Sequence, residues 1–212
     1  MVRYEAITLL AVSLFASPPA DEVERRIAEL RHESVVVRSL AAIALAKAKD
    51  PRAVDPLVVA LGDARIEVRV EAAHALGAIR DPRAVEPLLE VLGSPTVATQ
   101  VAAVEALGRI GDPRTIKDLL PLLGTTVRTS SVSQESFNSK LRSAAVGALA
   151  EIGPPVVDPL LAILKDEQSQ VPKEPVLQIL GGVRDVRSVQ ALIAVLPDKE
   201  VRYAGVRALS NR

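Results

Sequence analysis

The chain of 212 residues contains no cysteine and no tryptophan, one methionine and two histidines. Without thiols it can hold no disulfide, zinc–thiolate site, iron–sulfur cluster or cysteine nucleophile. Net charge is also missing, because 26 Lys and Arg balance 26 Asp and Glu, so no overall field draws the chain to nucleic acid or to an anionic membrane. Aromatic residues make up 2% of the chain and hydrophobic residues 49%. The core must therefore consist of Ala, Val, Leu and Ile, which allow helices to approach closely.

Long hydrophobic runs are scarce as well. The apolar stretch near the N-terminus runs from Ala6 to Ala16, which is shorter than the about 20 residues that a helix needs to cross a bilayer. Residues 1–20 have the outline of a signal peptide, with an arginine before the stretch and SPPA after it. The segment VRYEA at residues 2–6 nevertheless aligns with VRVEA at 68–72, which favours the second helix of a truncated repeat. We expect a cytoplasmic protein without a membrane partner, or an exported one if 1–20 is a signal peptide.

What the sequence does have is a repeat. The segments DPRAVDPL, DPRAVEPL and DPRTIKDL begin at Asp50, Asp81 and Asp112, so the period is 31 residues. A period of this length with one helix pair per unit predicts a solenoid. Each aspartate is placed to cap a helix, and the following proline suits the first helical position. Pro56 and its equivalents fall about a turn and a half inside, which predicts either a bend or a short tight turn before the helix proper.

The second helix of each unit is predicted over residues 68–79, 99–110 and 141–152, each carrying Ala-Leu-Gly or Ala-Leu-Ala where neighbouring repeats meet. The predicted fold is all-α, an α-α superhelix of antiparallel helix pairs. We predict a single domain over 1–212 with about six repeats. An inserted loop is expected at 125–140, where a Ser-, Thr- and Gln-rich stretch interrupts the period. Gly181-Gly182 is expected to end a helix.

The two motifs DPRAVEPLL and VRxxAAxALGxI resemble the HEAT-like repeats named after the phycobilin lyases. The resemblance covers nearly the whole chain and is strongest over 50–111. It implies a HEAT-like solenoid and leaves several functions open, since such repeats serve as protein-binding scaffolds, bilin lyase subunits, di-iron deoxyhypusine hydroxylases and some DNA glycosylases.

Two of these functions are at odds with the residues. The hydroxylase resemblance would require His-Glu pairs on several second helices, whereas the one such pair, His32-Glu33, precedes a second helix. A DNA-binding surface would need a basic face and stacking aromatics. We therefore predict no metal, no cofactor and no nucleic-acid partner. The bilin lyases have no short motif to check, so an enzyme accessory subunit that binds a tetrapyrrole-like ligand stays open as the alternative.

The predicted function is a non-catalytic scaffold that binds a protein or peptide partner. The repeat register places one residue of each second helix on a shared stripe, and helical repeats usually display such stripes on the concave side. The alternative is an ordinary solvated surface with scattered apolar residues. No catalytic residue is predicted, and the candidate partner-binding residues are Tyr4, Ser39, Ile43, Val70, His74, Val101, Glu105, Arg109 and Ser143.

Two charged groups allow more than one interpretation. His74 and Glu105 are one repeat apart and Arg109 follows Glu105 by four residues, which favours a surface ion network over a catalytic cluster. Arginines at the start of second helices are expected to pair with the junction aspartates Asp81 and Asp112, or else to form a basic ladder for an acidic partner; they are Arg38, Arg69, Arg142 and Arg202. Self-association through unclosed terminal repeats is also expected.

Overall fold

The computed structural model describes residues 19–124, 132–198 and 201–210, and within them it contains helices and no strand. Twelve α-helices form six antiparallel pairs, with the odd-numbered helix first in each pair. They are α1 Pro19–Glu29, α2 Val35–Ala48, α3 Val54–Ala60, α4 Ile66–Ile79, α5 Val85–Val91, α6 Val97–Ile110, α7 Ile116–Leu119, α8 Val132–Ile152, α9 Val157–Lys165, α10 Lys173–Gly182, α11 Val186–Ala194 and α12 Arg202–Ser210. Each second helix packs against the second helix of the next pair. The predicted all-α solenoid is confirmed.

The junction aspartates cap the first helices as predicted. The carboxylate of Asp50 accepts a hydrogen bond from the backbone N–H of Arg52 at 2.9 Å, and the equivalent bonds of Asp81, Asp112 and Asp185 measure 2.9, 2.9 and 2.7 Å. Each arginine that donates its backbone N–H also binds the same carboxylate through its guanidinium. These guanidinium hydrogen bonds hold the pKa of each aspartate below its usual value.

The proline inside each first helix is accommodated by a tight turn. A 3-10 turn over Pro51–Ala53 precedes α3, and the same turn over Pro82–Ala84 precedes α5. The helix proper then starts at Val54 or Val85, so that the inner proline lies in its first turn, where no backbone donor is needed. Of the two outcomes that the sequence left open, the short tight turn is the correct one.

Two leucine ladders run through the core. One leucine from each of five first helices and one from each of five second helices is fully buried. A Leu or Phe side chain buried in this way contributes about 1.5–3 kcal/mol relative to exposure. The ladders consist of Leu57, Leu88, Leu119, Leu160 and Leu192, and of Leu45, Leu76, Leu107, Leu149 and Leu180.

The second helices stack closely because a glycine of one faces an alanine of the next. A Cβ built on Gly77 would lie 2.8 Å from the Cα of Ala106, and a Cβ on Gly108 would lie 2.5 Å from the Cα of Ala148. Distances this short to backbone atoms leave no room for a side chain. The Ala-Leu-Gly motif of the sequence therefore marks the contact between repeats.

Arg38, Arg69 and Arg202 do not pair with the junction aspartates such as Asp81 and Asp112. Arg38 binds the carboxylate of Asp63 at 2.7 Å and is 14% exposed, and Arg69 donates to the carbonyl of Asp63 at 2.7 Å. Arg202 likewise binds backbone carbonyls, those of Leu196 and Pro197. Asp81 and Asp112 are already occupied by the nearer arginines two residues along the chain. Arg69 and Arg202 bind carbonyls of the turn in their own repeat, whereas Arg38 also reaches across to the turn of the following repeat, which carries Asp63.

The expected loop at 125–140 is wrong for its second half, because α8 begins at Val132 and is 21 residues long. Residues 125–131 lie outside the described residues. Differences in helix propensity among ordinary residues stay below about 0.7 kcal/mol each. The Ser, Asn and Gln residues after Val132 therefore do not prevent α8 from extending beyond residues 141–152, which packing already holds as a helix. Once nucleated, a helix gains one hydrogen bond for each residue added.

No single helix of the described part of the chain is long and apolar enough to cross a membrane. The segments Asn138–Ile152 and Pro154–Lys165 reach that length and composition only when taken together, across a bend of 113°.

Candidate functional site

The candidate site is the second-helix face, which we define as the residues of α2, α4, α6, α8, α10 and α12 at three repeat positions, those that Val101, Glu105 and Arg109 occupy on α6. All predicted binding residues that the structure describes are at least partly accessible: Ser39, Ile43, Val70, His74, Val101, Glu105 and Arg109 are half-buried and Ser143 is exposed. Tyr4 lies outside the described residues, as do residues 1–18 of the segment 1–20 that has the outline of a signal peptide. The repeat register thus places these side chains on the accessible side of the helices, opposite the leucine ladder, and their role in binding stays a prediction.

The structure brings His74, Glu105 and Arg109 together. His74 Nε2 lies 3.5 Å from Glu105 Oε2, and Arg109 Nη2 lies 3.9 Å from the same oxygen. The second imidazole nitrogen of His74 is 4.0 Å from Glu71 Oε2. These are ion-pair distances longer than good hydrogen bonds, between side chains that are 33% to 41% exposed. The arrangement has the character of a surface ion network, which contributes little to stability.

Four of the predicted residues line one cleft. Val101, Glu105 and Arg109 of α6 face Ser143 of α8 across a space of about 470 Å³. Lys140, Gly147 and Glu151 complete its walls. The cleft combines an apolar side chain with charges of both signs, as a surface that recognises a polypeptide segment would.

A second cleft lies beside it, between α8, α10 and α12, with a volume of about 320 Å³. It shares Gly147 with the first cleft. Its floor is apolar and its rim carries Glu174, Gln178 and Arg207. The remaining lining residues are Val146, Ala150, Gly181, Gly182, Ala204 and Ala208.

Glu174 and Gln178 are not among the predicted binding residues. Both occupy the repeat positions of Ser143 and Gly147, because Ile179-Leu180-Gly181 aligns with Ala148-Leu149-Ala150. Pro172 and Pro175 obscured this register: α10 begins only at Lys173 and has 10 residues where α4 and α6 have 14. Extending the register through the Leu180 position would have found both side chains.

The second cleft exists because the close stacking of second helices is relaxed at this point. Ala150 of α8 occupies the repeat position of Gly77 and Gly108. Its methyl group faces Gly182, where a Cβ would lie 3.5 Å away, an ordinary van der Waals distance. The contact between α8 and α10 at this position is therefore an ordinary one, whereas a Cβ at Gly77 or Gly108 would lie closer than 3.0 Å to the next second helix.

The close contact returns between α10 and α12. A Cβ on Gly181 would lie 2.8 Å from the backbone oxygen of Ala208, and neither Gly181 nor Gly182 has a positive φ. The expectation that this pair ends the helix is therefore incomplete: α10 does end at Gly182, but Gly181 is required by packing rather than by the backbone conformation of a helix cap.

Among the described residues no group of three or more His, Asp or Glu side chains is arranged to hold a metal ion. Buried polar atoms without a partner include Thr99 Oγ1 and Ser188 Oγ, which both lie in the core and away from the second-helix face.

Comparisons with known proteins agree with this architecture. The family model of HEAT repeats matches residues 23–99, 60–133 and 131–210. A chain of the complex of CpcE and CpcF of phycocyanin lyase from Nostoc sp. PCC7120 is 24% identical over 92% of this chain and 76% of its own, with a TM-score of 0.57. An engineered protein is 25% identical over 90% of this chain and 96% of its own, with a TM-score of 0.53. Among proteins of curated function none matches the chain.

Proposed function

Because the chain belongs to the HEAT-repeat family, we propose that it is a non-catalytic scaffold whose second-helix face binds a segment of a protein partner. The observation that carries this proposal is the pair of adjoining clefts on that face, which meet at Gly147. Together they extend over four successive second helices, α6 to α12. A groove of this extent fits a polypeptide segment, which presents several side chains in a row.

The polar groups of the face support a binding role rather than a chemical one. The rim residues Glu174 and Arg207 are exposed, and His74 with Glu105 forms a loose surface pair. A general acid or base at work is held within hydrogen-bond reach of its partners and has a perturbed environment. A binding rim needs only accessible charges around an apolar floor.

The proposal is tested by selecting a random peptide library on the immobilised protein and measuring the affinity of the selected peptides for two matched variants. Val101→Arg places a charge in the first cleft, whereas Val59→Arg places it on the first-helix side, where Val59 is 71% exposed. We expect the Val101 variant to lose binding by about tenfold or more and the Val59 variant to bind as wild type. Loss only in the Val59 variant would refute the proposal.

A second candidate function is an enzyme accessory subunit that binds a tetrapyrrole-like ligand. The observation in its favour is Arg207 at the rim of an apolar-floored cleft, since an arginine pairs well with a carboxylate such as a propionate. The likeness to a phycocyanin lyase chain is one of fold. Titration with a free bilin, followed by absorbance, decides this candidate: a saturable spectral change that Arg207→Ala removes would support it, and an unchanged spectrum would end it.

Self-association remains a prediction. The first and last described pairs expose apolar side chains, Val36 and Leu40 on α2 at 66% and 54%, and Ile193 and Val206 at 54% and 49%. Light scattering across a range of concentrations tests it, and a constant monomer mass would contradict it.

A further inference from the structure

Gly147 is unlike the other glycines of the second helices. It lies in the interior of α8 and is exposed, its φ is not positive, and a Cβ built on it would meet nothing within 4 Å. Gly77, Gly108 and Gly181 by contrast each face a neighbouring helix too closely for any side chain. A glycine inside a helix lowers its stability relative to alanine. Neither packing nor backbone conformation requires a glycine at position 147.

Because Gly147 has no side chain, the opening between the two clefts stays free. Gly147 is the residue common to the walls of both clefts, and its repeat position carries His74 on α4 and Glu105 on α6. A side chain of either size at 147 would project into the opening between the clefts. The glycine therefore gives access to the floor of the 320 Å³ cleft.

The floor and the rim of this cleft differ in character. Val146, Gly181 and Ala208 are buried below it, while Glu174 and Arg207 stand exposed at its edge. Neither of these two charged side chains makes a hydrogen bond or an ion pair with any residue that the structure describes. Glu174 lies on α10, and Arg207 lies on the neighbouring α12, one helical turn further along. One turn and one interhelical spacing together separate the two residues by on the order of 10 Å.

The size of the cleft limits what it holds. Small-molecule pockets measure about 300–1,000 Å³, and this cleft, at about 320 Å³, is at the lower end of that range. It suits one large apolar side chain. Large side chains inserted into a pocket of this kind dominate the binding energy of protein interfaces.

We propose that this cleft is the specificity pocket of the second-helix face. It takes one bulky apolar side chain of the protein partner, flanked on one side by a basic residue that pairs with Glu174 and on the other by an acidic residue that pairs with Arg207. In an extended segment three residues span about 10 Å, so the two charges lie about three positions apart with the apolar residue between them. This inference rests on the scaffold function proposed above and adds the chemistry of the partner.

The experiment uses the peptides selected from the random library on the wild-type protein. We expect them to share a bulky apolar residue between a basic and an acidic residue. Gly147→Leu fills the cleft and should weaken binding by about tenfold or more. Ala162→Leu places the same side chain at an exposed position of α9 on the first-helix side and should leave binding unchanged. Exchanging the charges, Glu174→Arg with Arg207→Glu, should favour peptides in which the two charges are reversed.

The outcomes separate this inference from the proposed function. Binding that Val101→Arg abolishes but Gly147→Leu and the charge exchange leave intact would overturn the pocket and retain the scaffold. Binding that only the first-helix variants weaken, or selection of no peptide at all, would overturn both. Because leucine is a better helix former than glycine, thermal denaturation of Gly147→Leu verifies that any lost binding is not lost folding. The charge exchange provides a second readout, since a merely structural effect would not reverse the preferred order of charges.

Discussion

Two glycine-to-alanine substitutions in neighbouring second helices should change stability in opposite directions. Gly108 of α6 faces α8, and a Cβ there would lie 2.5 Å from the Cα and 2.7 Å from the Cβ of Ala148. Gly147 of α8 faces open space. The two residues are chemically identical and both are helical, so that the difference between them is the environment alone.

The magnitudes follow from two effects. In a helix interior alanine is favoured over glycine by about 0.5–1 kcal/mol, and Gly147→Ala should gain this amount. Gly108→Ala gains the same helix propensity, but its new methyl group would overlap the backbone of Ala148, which cannot change rotamer as a side chain can. Overpacking of this kind costs about 1–3 kcal/mol. We expect a net loss of about 1–2 kcal/mol. In a chain of this length 1 kcal/mol corresponds to about 2–4 °C in Tm.

The assay is thermal denaturation followed by far-ultraviolet circular dichroism at one protein concentration. Gly147→Ala should raise Tm by about 1–4 °C and Gly108→Ala should lower it by about 2–8 °C. Gly77→Ala, with its Cβ 2.8 Å from the Cα of Ala106, should behave like Gly108→Ala. A Gly108→Ala protein as stable as wild type would refute the close glycine–alanine stacking, and with it the explanation of why the cleft opens at Ala150.

Three further predictions concern the turns and caps. Asp112→Ala removes the hydrogen bond to the backbone of Arg114 and should lower stability by about 1 kcal/mol, whereas Asp112→Asn, which still caps, should lose less; equal losses would contradict a capping role. Arg80 follows the end of α4 with a φ of 61°, and Gly111 follows the end of α6 with a φ of 76°. Because a positive φ strains every residue except glycine, Arg80→Gly should raise Tm and Gly111→Arg should lower it. An unchanged Tm in both variants would contradict this backbone strain. The capping aspartates have lowered pKa values, so the stability that they contribute is complete above about pH 4 and is lost as pH falls through their folded pKa. As pH falls from 7 to 3, the contribution of these aspartates to Tm should stay constant down to about pH 4 and then decrease. A Tm that rises below pH 4 would contradict the predicted direction of this pH dependence.

Most of the fold could be predicted because the physical constraints repeat with the sequence. The same Asp-Pro pair caps three first helices, and the same leucine is buried in five second helices. The accessible positions of the second helices follow from the same register, and Val101, Glu105, Arg109 and Ser143 line one cleft. Whether these residues bind a partner depends also on the partner, about which the repeat pattern carries no information.

The errors fall where short-range competition decides. The arginines of the second helices were assigned to Asp81 and Asp112, but Arg83 and Arg114 are closer along the chain and lose less conformational freedom in reaching those carboxylates. The start of α8 was missed because Ser and Asn favour turns when considered alone. For the arginines a contact within a few residues outweighed the pattern that spans a whole repeat, whereas for α8 the helix continued through residues whose own preference is for turns.

The clefts could not be predicted from the register, because they depend on how far apart two helices stand rather than on which residues face each other. Exposure at the repeat position of Val101 differs along the face. Ser39, Val70 and Val101 are half-buried, whereas Ser143, Glu174 and Tyr203 are exposed, Tyr203 at 80%. Close glycine–alanine contacts bring α4, α6 and α8 together, the contact between α8 and α10 at Ala150 is an ordinary one, and the close contact returns between α10 and α12 at Gly181. Packing density in protein interiors leaves so little free space that a single methyl is enough to shift a helix. The second cleft lies beside the one wider step, between α8 and α10, and its apolar floor is where a side chain of a partner can leave water.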